Sequence, residues 1–405
     1  MKSEPVSFDV SRRSLLDGLR VVDMTRLVAG NLLSLQLGDF GAEIIKVESP
    51  GGDPLRDWRT NGKSLYWKTY ARNKRSIAID LHREQGKSLL RRIVAGSDVL
   101  IENYRPGTLE KMGFPPDSLL ADNPRLIIVR ISGFGQTGPY SQLPGFGTLV
   151  EAVSGLADRN GFPDREPVLP PLALADMVAG AFGSFAVTAA LLGRERDSGK
   201  GQVIDLSLLE PLIAILGPEA AIYEETRRIK ERAGSGSHTA SPRNVYRCSD
   251  GSYVALSGST EAMARRIFEV LGRPEMASDP RFDTNSARVK NRPLVDEFLG
   301  DWFAARTREE AVDTLRRADV TVAPVYNIAD MLKDAHFQER DVFLRAEDED
   351  YGSVLMNNIV PRLSGTPGVF RRPAPQLGEH TDEILGEIGV DAATTAALRA
   401  SKIVS

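Results

Sequence analysis

The first half of the chain alternates between short apolar runs and segments with helical spacing of apolar residues. The β-branched and apolar runs predict strands at 19–24, 43–48, 76–81, 98–103, 126–133 and 202–208. Apolar residues at helical spacing that close on a glycine predict intervening helices, for example at 29–41 and 83–96. Apolar strands that alternate with helices indicate a mainly parallel sheet covered on both faces.

The loops after these strands differ sharply from the strands in composition. They read TRLVAGN, SPGGDPLR, NYRPG and SGFGQTGPY, and they are rich in Gly, Pro and Arg. Ligands of parallel sheets bind outside the carboxyl ends of the strands. We therefore expect the functional site at this edge.

The pattern weakens after the last of these strands, and a second unit follows. The stretch 212–234 is charged and then rich in Gly and Ser, which is typical of a linker. Beyond it, Asp250-Gly251 between two alternating runs predicts a hairpin, followed by helices at 261–272 and 308–318. We interpret 235–330 as a smaller α+β domain.

Composition narrows the class of protein. The chain has 405 residues, which is more than one ordinary hydrophobic core accommodates. Its net charge is −4, and its basic residues do not form a block. Nucleic-acid and polybasic membrane partners are therefore not expected. No uninterrupted apolar run reaches the ~18 residues of a membrane span, and the N-terminus lacks an apolar signal region. We expect a cytoplasmic protein that does not bind membranes.

Several familiar site types are missing from the sequence. The single cysteine, Cys248, excludes an intramolecular disulfide and is interpreted as a buried structural residue, and the four histidines lack metal-ligand spacing. The glycines after the first strand, Gly30, Gly38 and Gly41, do not match GxGxxG, and no P-loop or GxSxG motif occurs. We therefore predict no metal and no prosthetic group.

Basic residues near the predicted strand ends allow two interpretations. They are either solvated loop charges or a set that neutralises phosphates. Tyr104 and Met112 could likewise flank a flat heterocycle or simply pack. The basic residues are Lys46, Lys74, Arg75, Arg105 and Lys111.

One carboxylate stands at the head of a long apolar and small-residue run. In PPLALADMVAGAFGSFAVTAALLG, residues 170–193, the charged residue is Asp176. An N-cap role would satisfy the carboxylate through first-turn N–H groups and the helix dipole. A carboxylate held ionised in apolar surroundings is also a usable nucleophile, and the two roles are compatible.

Eight ordered segments of the chain resemble class III coenzyme A transferases, a family that also contains α-methylacyl-CoA racemases. They include LDGLRVVDMTRLVAG, LGDFGAEIIKVESPGGDPLR, NKRSIAIDL, DVLIENYRPG, ALADMVAG and LGEHTDEIL, and they span about 16–387. The resemblance implies an interlocked homodimer with a Rossmann-like large domain and a smaller domain. It assigns 1–211 and 365–405 to the large domain, with 331–364 as a return linker.

The resemblance also implies a mechanism in which Asp176 of the ADMxxG motif is the nucleophile. Its carboxylate would form an aspartyl–acyl anhydride with an acyl-CoA and then an aspartyl-CoA thioester, so that CoA passes to a carboxylic acid. Backbone N–H groups near Asp176 and in a small-domain loop, either 234–238 or 257–260, are candidates for an oxyanion hole.

By the same resemblance, coenzyme A would be bound as a substrate along the loops after the first four strands. Ser49 stands where the family often has a basic residue, and Val28 stands where formyl-CoA transferases usually have Gln. The pattern therefore favours the succinyl-CoA-dependent members that handle dicarboxylates. Arg26 or Arg243 is a candidate partner for a second carboxylate. The implied CoA-binding residues are Arg26, Leu27, Ala29, Glu48, Asn73, Lys74, Arg75, Ile79, Asn103, Tyr104, Arg105, Lys111 and Met112.

Two alternatives stay open at the level of sequence. A racemase would need opposed acid–base groups, whereas the position of the racemase histidine holds Phe146, followed by Gly147. A non-catalytic CoA-binding protein would keep the phosphate loops but would not need Asp176.

Overall fold

The computed structural model describes residues 4–197 and 199–405, which form two compact units. Unit 1 contains residues 4–156, 170–219 and 335–405, and unit 2 contains residues 157–169 and 220–334. The first and last described segments of the chain therefore both lie in unit 1.

Unit 1 is a mixed α/β structure. Its strands are β1 (Arg20–Asp23), β2 (Glu43–Glu48), β3 (Lys74–Ala78), β4 (Val99–Glu102), β5 (Ile127–Ser132), β6 (Val203–Ser207), β10 (Phe343–Asp348) and β11 (Gly352–Asn357). Its helices are α1 (Ala29–Asp39), α2 (Leu65–Tyr70), α3 (Glu84–Ala95), α4 (Thr108–Lys111), α5 (Pro116–Asp122), α6 (Gly147–Val153), α8 (Leu174–Arg196), α9 (Leu209–Ile215), α16 (Ala335–Glu339), α17 (Thr381–Glu387) and α18 (Ala392–Ala400). Two further helices, α7 (Leu156–Arg159) and α10 (Glu219–Thr226), begin in unit 1 and end in unit 2.

The predicted parallel sheet is confirmed. Six strands pair in the order β3-β2-β1-β4-β5-β6, and every pairing is parallel. The order reverses between β1 and β4, so the loops after these strands diverge and leave a crevice at the carboxyl edge.

Alternate residues of each strand enter different cores, because successive side chains point to opposite faces. Val22 and Leu100 pack with α3, α17 and α18 on one face. Val21 and Ile101 pack with α1, α6 and α8 on the other. Burial on both faces explains why the central strands β1, β4 and β5 are mostly apolar.

Close packing of α1 against α8 depends on small residues. A Cβ at Gly180 would lie 2.9 Å from the backbone oxygen of Ala29, and one at Gly183 would lie 2.4 Å from a Leu33 methyl. Glycine at these positions lets the start of α8 approach the start of α1.

Unit 2 is built around the predicted hairpin. Its antiparallel sheet has the order β7 (Arg243–Arg247), β8 (Tyr253–Ser257), β9 (Val322–Pro324). Its core holds the side chains of Tyr246, Phe268, Phe303 and Cys248, the last only 3% exposed. The helices are α11 (Glu261–Val270), α12 (Asn285–Lys290), α13 (Arg292–Ala304), α14 (Arg308–Arg317) and α15 (Ile328–Lys333), and short 3₁₀ turns lie at Pro54–Asp57 in unit 1 and Pro274–Ser278 in unit 2.

The structure differs from two local predictions. The segment 331–364, expected to be a linker, contains the β10–β11 hairpin, and the segment 212–234, also expected to be a linker, contains the whole of α10. In addition, β3 begins at Lys74 and ends at Ala78, whereas a strand at 76–81 was predicted. This shift moves residues 79–81 out of the strand and into the loop that follows it.

The expectation that no segment is long and apolar enough for a membrane span is corrected. Helix α8, Leu174–Arg196, is long and apolar enough to cross a membrane by length and composition alone. A core helix passes the same test, and α8 buries Ala179, Val187 and Leu191 against the sheet of unit 1.

Candidate active site

A cavity of about 460 Å³ opens at the carboxyl ends of β1–β4 in unit 1. It lies at the edge that the sequence predicts, since each of these strands contributes the residues that follow it. Its lining includes Met24 to Arg26, Glu48 to Pro50, Ile79 to His82, and Tyr104, Thr108 and Met112.

Five predicted CoA-binding residues line this cavity. Arg26, Glu48, Ile79, Tyr104 and Met112 all face it. The guanidinium of Arg26 lies 5.2 Å from the centroid of the Tyr104 ring, a cation–π arrangement.

Other predicted residues lie beside the cavity. Asn103 holds the loop after β1, because its amide accepts from the Arg26 N–H at 2.9 Å and donates to the Arg26 carbonyl at 2.8 Å. Leu27 and Ala29 continue that loop, and Arg105 and Lys111 are exposed around α4. Exposure leaves both cations accessible to an anionic group.

Three further predicted residues, Asn73, Lys74 and Arg75, also lie outside the lining of this cavity, and their part in CoA binding stays a prediction. Asn73 donates to Asp39 and to the Val369 carbonyl, both at 2.9 Å. The Lys74 ammonium donates to both oxygens of Asn31 and pairs with Asp23 at 3.3 Å. These residues precede or begin β3, whereas the cavity forms where β3 ends.

Arg75 is engaged at the amino edge of the sheet. Its guanidinium pairs with Glu43, Glu383 and Glu387, and its side chain is 4% exposed. Because the strands are parallel, this edge lies opposite the cavity.

A buried ion network holds the loop between β1 and α1. The Lys46 ammonium lies 3.2 Å from Asp23 and 3.1 Å from Asp53, and it donates to the Thr25 carbonyl at 2.5 Å. Burial alone would lower the pKa of the Lys46 ammonium. The negative charges of Asp23 and Asp53 outweigh this effect and raise the pKa of Lys46. Burial prevails at Lys74 and lowers its pKa to about 8. Neither lysine is a solvated loop charge.

The same network stabilises an unusual backbone conformation. Leu27 has φ = 62°, which non-glycine residues seldom adopt. Its N–H donates to Asp53 at 3.0 Å, and Asp53 also accepts from the Asn31 side chain at 2.8 Å. Asp53 therefore ties the wall of the cavity to the start of α1.

Asp176 lies in the first turn of α8 and not at its cap. The helix begins at Leu174, and the capping position is Ala173. The backbone N–H groups of Asp176 itself and of Ala29, the first residue of α1, face the Asp176 carboxylate and act to lower its pKa. Ala29 follows cavity-lining Arg26 by three residues, a reach of at most ~11 Å of chain.

Glu151 is a second carboxylate of the site, and no motif in the sequence predicts it. Its side chain is buried on α6, and it accepts a hydrogen bond from the Ala175 N–H at 3.0 Å. Burial and the Glu151 charge raise the pKa of Asp176 to about 6, although the two N–H donors oppose the shift. Asp176 is therefore mostly ionised at neutral pH.

Gly147 and Phe146 occupy the start of α6 on the same side. A Cβ at Gly147 would lie 2.3 Å from Asp176 Oδ2, so only glycine leaves room for the carboxylate. Phe146 is 64% exposed and has no proton to exchange. This arrangement does not support the racemase alternative.

The two loops proposed for the oxyanion hole both lie in unit 2. The stretch 234–238 contains Gly234 at φ = 59°. In the stretch 257–260, Thr260 caps α11 by accepting from the Met263 N–H at 3.2 Å. Their role stays a prediction.

Comparisons with known proteins agree with this architecture. The model of CoA-transferase family III matches residues 16–381. A crystal structure of a CAIB/BAIF family protein from Brucella suis superposes with a TM-score of 0.82 at 34% identity, covering 93% of this chain and 100% of that one.

Curated relatives are similar over nearly their whole length. The succinyl-CoA–D-citramalate CoA-transferase of Chloroflexus aurantiacus is 38% identical, with 96% of this chain and 98% of the relative covered. The succinate–glutarate CoA-transferase of Agrobacterium fabrum is 35% identical, with 93% and 96% covered. The chain belongs to CoA-transferase family III.

Proposed function

We propose that this CoA-transferase moves coenzyme A from succinyl-CoA, or another dicarboxylyl-CoA, to a carboxylic acid acceptor, with Asp176 as the nucleophile. The names of the curated relatives support the donor, since they pair succinyl-CoA or succinate with citramalate or glutarate. The acceptor is assigned here only as a carboxylic acid.

The proposed chemistry conserves the thioester bond energy. An Asp176 carboxylate oxygen attacks the thioester carbon, the carbon–sulfur bond breaks, and CoA leaves as a thiolate. The thiolate then attacks the aspartyl carbonyl of the mixed anhydride, which releases succinate and leaves an aspartyl-CoA thioester. The acceptor carboxylate reverses these steps and departs as the new acyl-CoA.

The environment of Asp176 is the observation that carries this proposal. Its carboxylate is half-buried, faces backbone N–H groups at two helix starts that favour its ionised form, and has a pKa of about 6. A carboxylate with a raised pKa is more nucleophilic than an ordinary one and still ionised at pH 7. Partial burial also limits the access of water, which would hydrolyse the anhydride.

The cavity at the carboxyl edge is the proposed site of coenzyme A. Tyr104 and Met112 supply flat and soft apolar walls that suit a heterocycle, and Arg26, Arg105 and Lys111 are the cations proposed for its phosphates. Loop residues Leu27 and Ala29 would guide the thiol arm toward Asp176. The assembly is proposed to be an interlocked homodimer in the cytoplasm.

A panel of donors and acceptors tests the function. Succinyl-CoA with dicarboxylate acceptors should give CoA transfer, and Asp176→Asn should lower the rate by at least about a thousandfold. The matched control is Asp122→Asn at the exposed end of α5, which should leave transfer unchanged. Wild-type activity in Asp176→Asn would exclude this mechanism.

A further inference from the structure

We propose that Glu151 is a positioning residue that uses its negative charge to destabilise the free Asp176 carboxylate and so favours the covalent aspartyl-CoA form. This inference rests on the proposed function. In this proposal the second carboxylate of the site changes the free energy of the covalent intermediate relative to the free enzyme and takes no part in proton transfer.

The local geometry gives Glu151 this position. It lies four residues after Gly147 on α6, so the two occupy the same face of the helix. Gly147 abuts the Asp176 carboxylate, and Glu151 Oε1 accepts from the N–H of the adjacent residue, Ala175, at 3.0 Å. The side chain of Glu151 is almost completely buried, so water screens its charge poorly.

The hydrogen bond to Ala175 also fixes the start of α8. Ala173 at the capping position has no side-chain acceptor, and Glu151 supplies one from another helix. Glu151 thus has a structural contribution, which a glutamine carbonyl can replace, and an electrostatic one, which glutamine cannot.

The other groups that face Asp176 do not duplicate this charge. Helix α1 contributes the Ala29 backbone N–H, which favours the ionised form. From α2, the Tyr70 hydroxyl lies 3.8 Å from the sulfur of neighbouring Met177, and burial raises the pKa of Tyr70, so it stays neutral. Among the described residues, Glu151 is the charged group that raises the pKa of Asp176.

Acylation and protonation of Asp176 both remove its negative charge. Each relieves the repulsion from Glu151, so the charge of Glu151 should shift both equilibria by a similar factor. No other reactant is involved, because the adduct forms from succinyl-CoA and the carboxylate and releases succinate. One pKa unit corresponds to a tenfold change in equilibrium constant.

Glu151→Gln tests the inference through two linked measurements. The acid limb of the pH profile of kcat/KM should move at least about 0.5 pH unit lower, toward an ordinary carboxyl pKa. The equilibrium ratio of adduct to free enzyme should be measured by mass spectrometry at fixed concentrations of succinyl-CoA and succinate. We expect it to fall tenfold for each pH unit of that shift. Unfolding temperature at pH 7.5 should not fall, since glutamine keeps the acceptor to Ala175 and removes the repulsion between the two carboxylates.

The matched control is Glu195→Gln at the far end of α8. It removes the same charge from an exposed position about 28 Å along the helix from Asp176, where screening is strong. Neither the acid limb nor the adduct ratio should move. If the wild-type protein forms the adduct and Glu151→Gln leaves both quantities unchanged, the role of Glu151 is wrong while the proposed function stands. If the wild-type protein forms no adduct, the proposed function itself fails.

Discussion

At the scale of single residues, Asp176 should cost the folded protein stability. Burial and Glu151 raise its folded pKa to about 6 from a reference value of 3.8. A raised carboxyl pKa favours the native state at low pH, and this contribution is lost as pH rises through 6. Asp176→Asn should therefore stabilise the protein by about 1 to 3 kcal/mol at pH 7.5, with the gain shrinking toward pH 4.

Urea unfolding of both proteins at several pH values checks this prediction. A variant that is no more stable than the wild type at pH 7.5, or a gain that does not change with pH, would show that Asp176 is not destabilised by its surroundings.

Gly147 leaves room for the Asp176 carboxylate because glycine has no Cβ. An added Cβ would lie 2.3 Å from Asp176 Oδ2, so Gly147→Ala must displace the carboxylate. A misplacement of this order should lower kcat/KM by about a hundredfold. The control is Gly193→Ala in the exposed part of α8, where a Cβ meets nothing within 4 Å. It should keep full activity and gain up to about 1 kcal/mol in stability.

At the scale of elements, the loop between β1 and α1 depends on Lys46. Lys46→Met would leave Asp23 and Asp53 buried without their shared cation. We expect a loss of about 3 to 5 kcal/mol in the free energy of unfolding. Lys87→Met, which removes an exposed pairing with Glu84, should cost less than about 0.5 kcal/mol. Comparable losses in the two variants would contradict a role for the buried network.

The sequence predicts the elements better than it predicts the partners of their side chains. Apolar periodicity locates all six strands of the parallel sheet, because burial leaves a short, mostly apolar run in each of them. Apolar periodicity does not reveal that the side chains of Lys46 and Lys74 are buried. A lysine in or beside a strand gives the same sequence pattern whether it is solvated or paired with a buried carboxylate.

Two features of the site escaped prediction for different reasons. Placing the end of β3 at residue 81 puts Asp80 and Leu81 inside a strand, although the carboxyl-edge rule applied to the true end at Ala78 finds them in the loop that lines the cavity. Glu151 lies on α6 next to residues of α8 that are 24 positions away along the chain. No local pattern encodes such a contact.

At the scale of the whole molecule, exposed apolar residues of unit 1 point to self-association. Phe185 and Leu192 of α8 are 73% and 50% exposed, and Ile215 at the end of α9 is 52% exposed. Isolated exposed apolar residues are ordinary, but a set on packed neighbouring helices is typical of an interface.

Light scattering should therefore give twice the 44.2 kDa mass of the chain. Phe185→Lys should weaken the dimer, with more monomer at micromolar concentration or a lower unfolding temperature, whereas Glu84→Lys on exposed α3 should not. A monomeric wild-type protein would contradict the proposed assembly.

The central claim is that Asp176 carries coenzyme A as a thioester during transfer. Intact-protein and peptide mass spectrometry after incubation with succinyl-CoA, without an acceptor, tests it most directly. We predict a mass increase of coenzyme A minus one water, located on the peptide that contains Asp176 and missing from Asp176→Asn. Transfer activity in the wild type with no adduct, or an adduct located on another residue, would contradict the account.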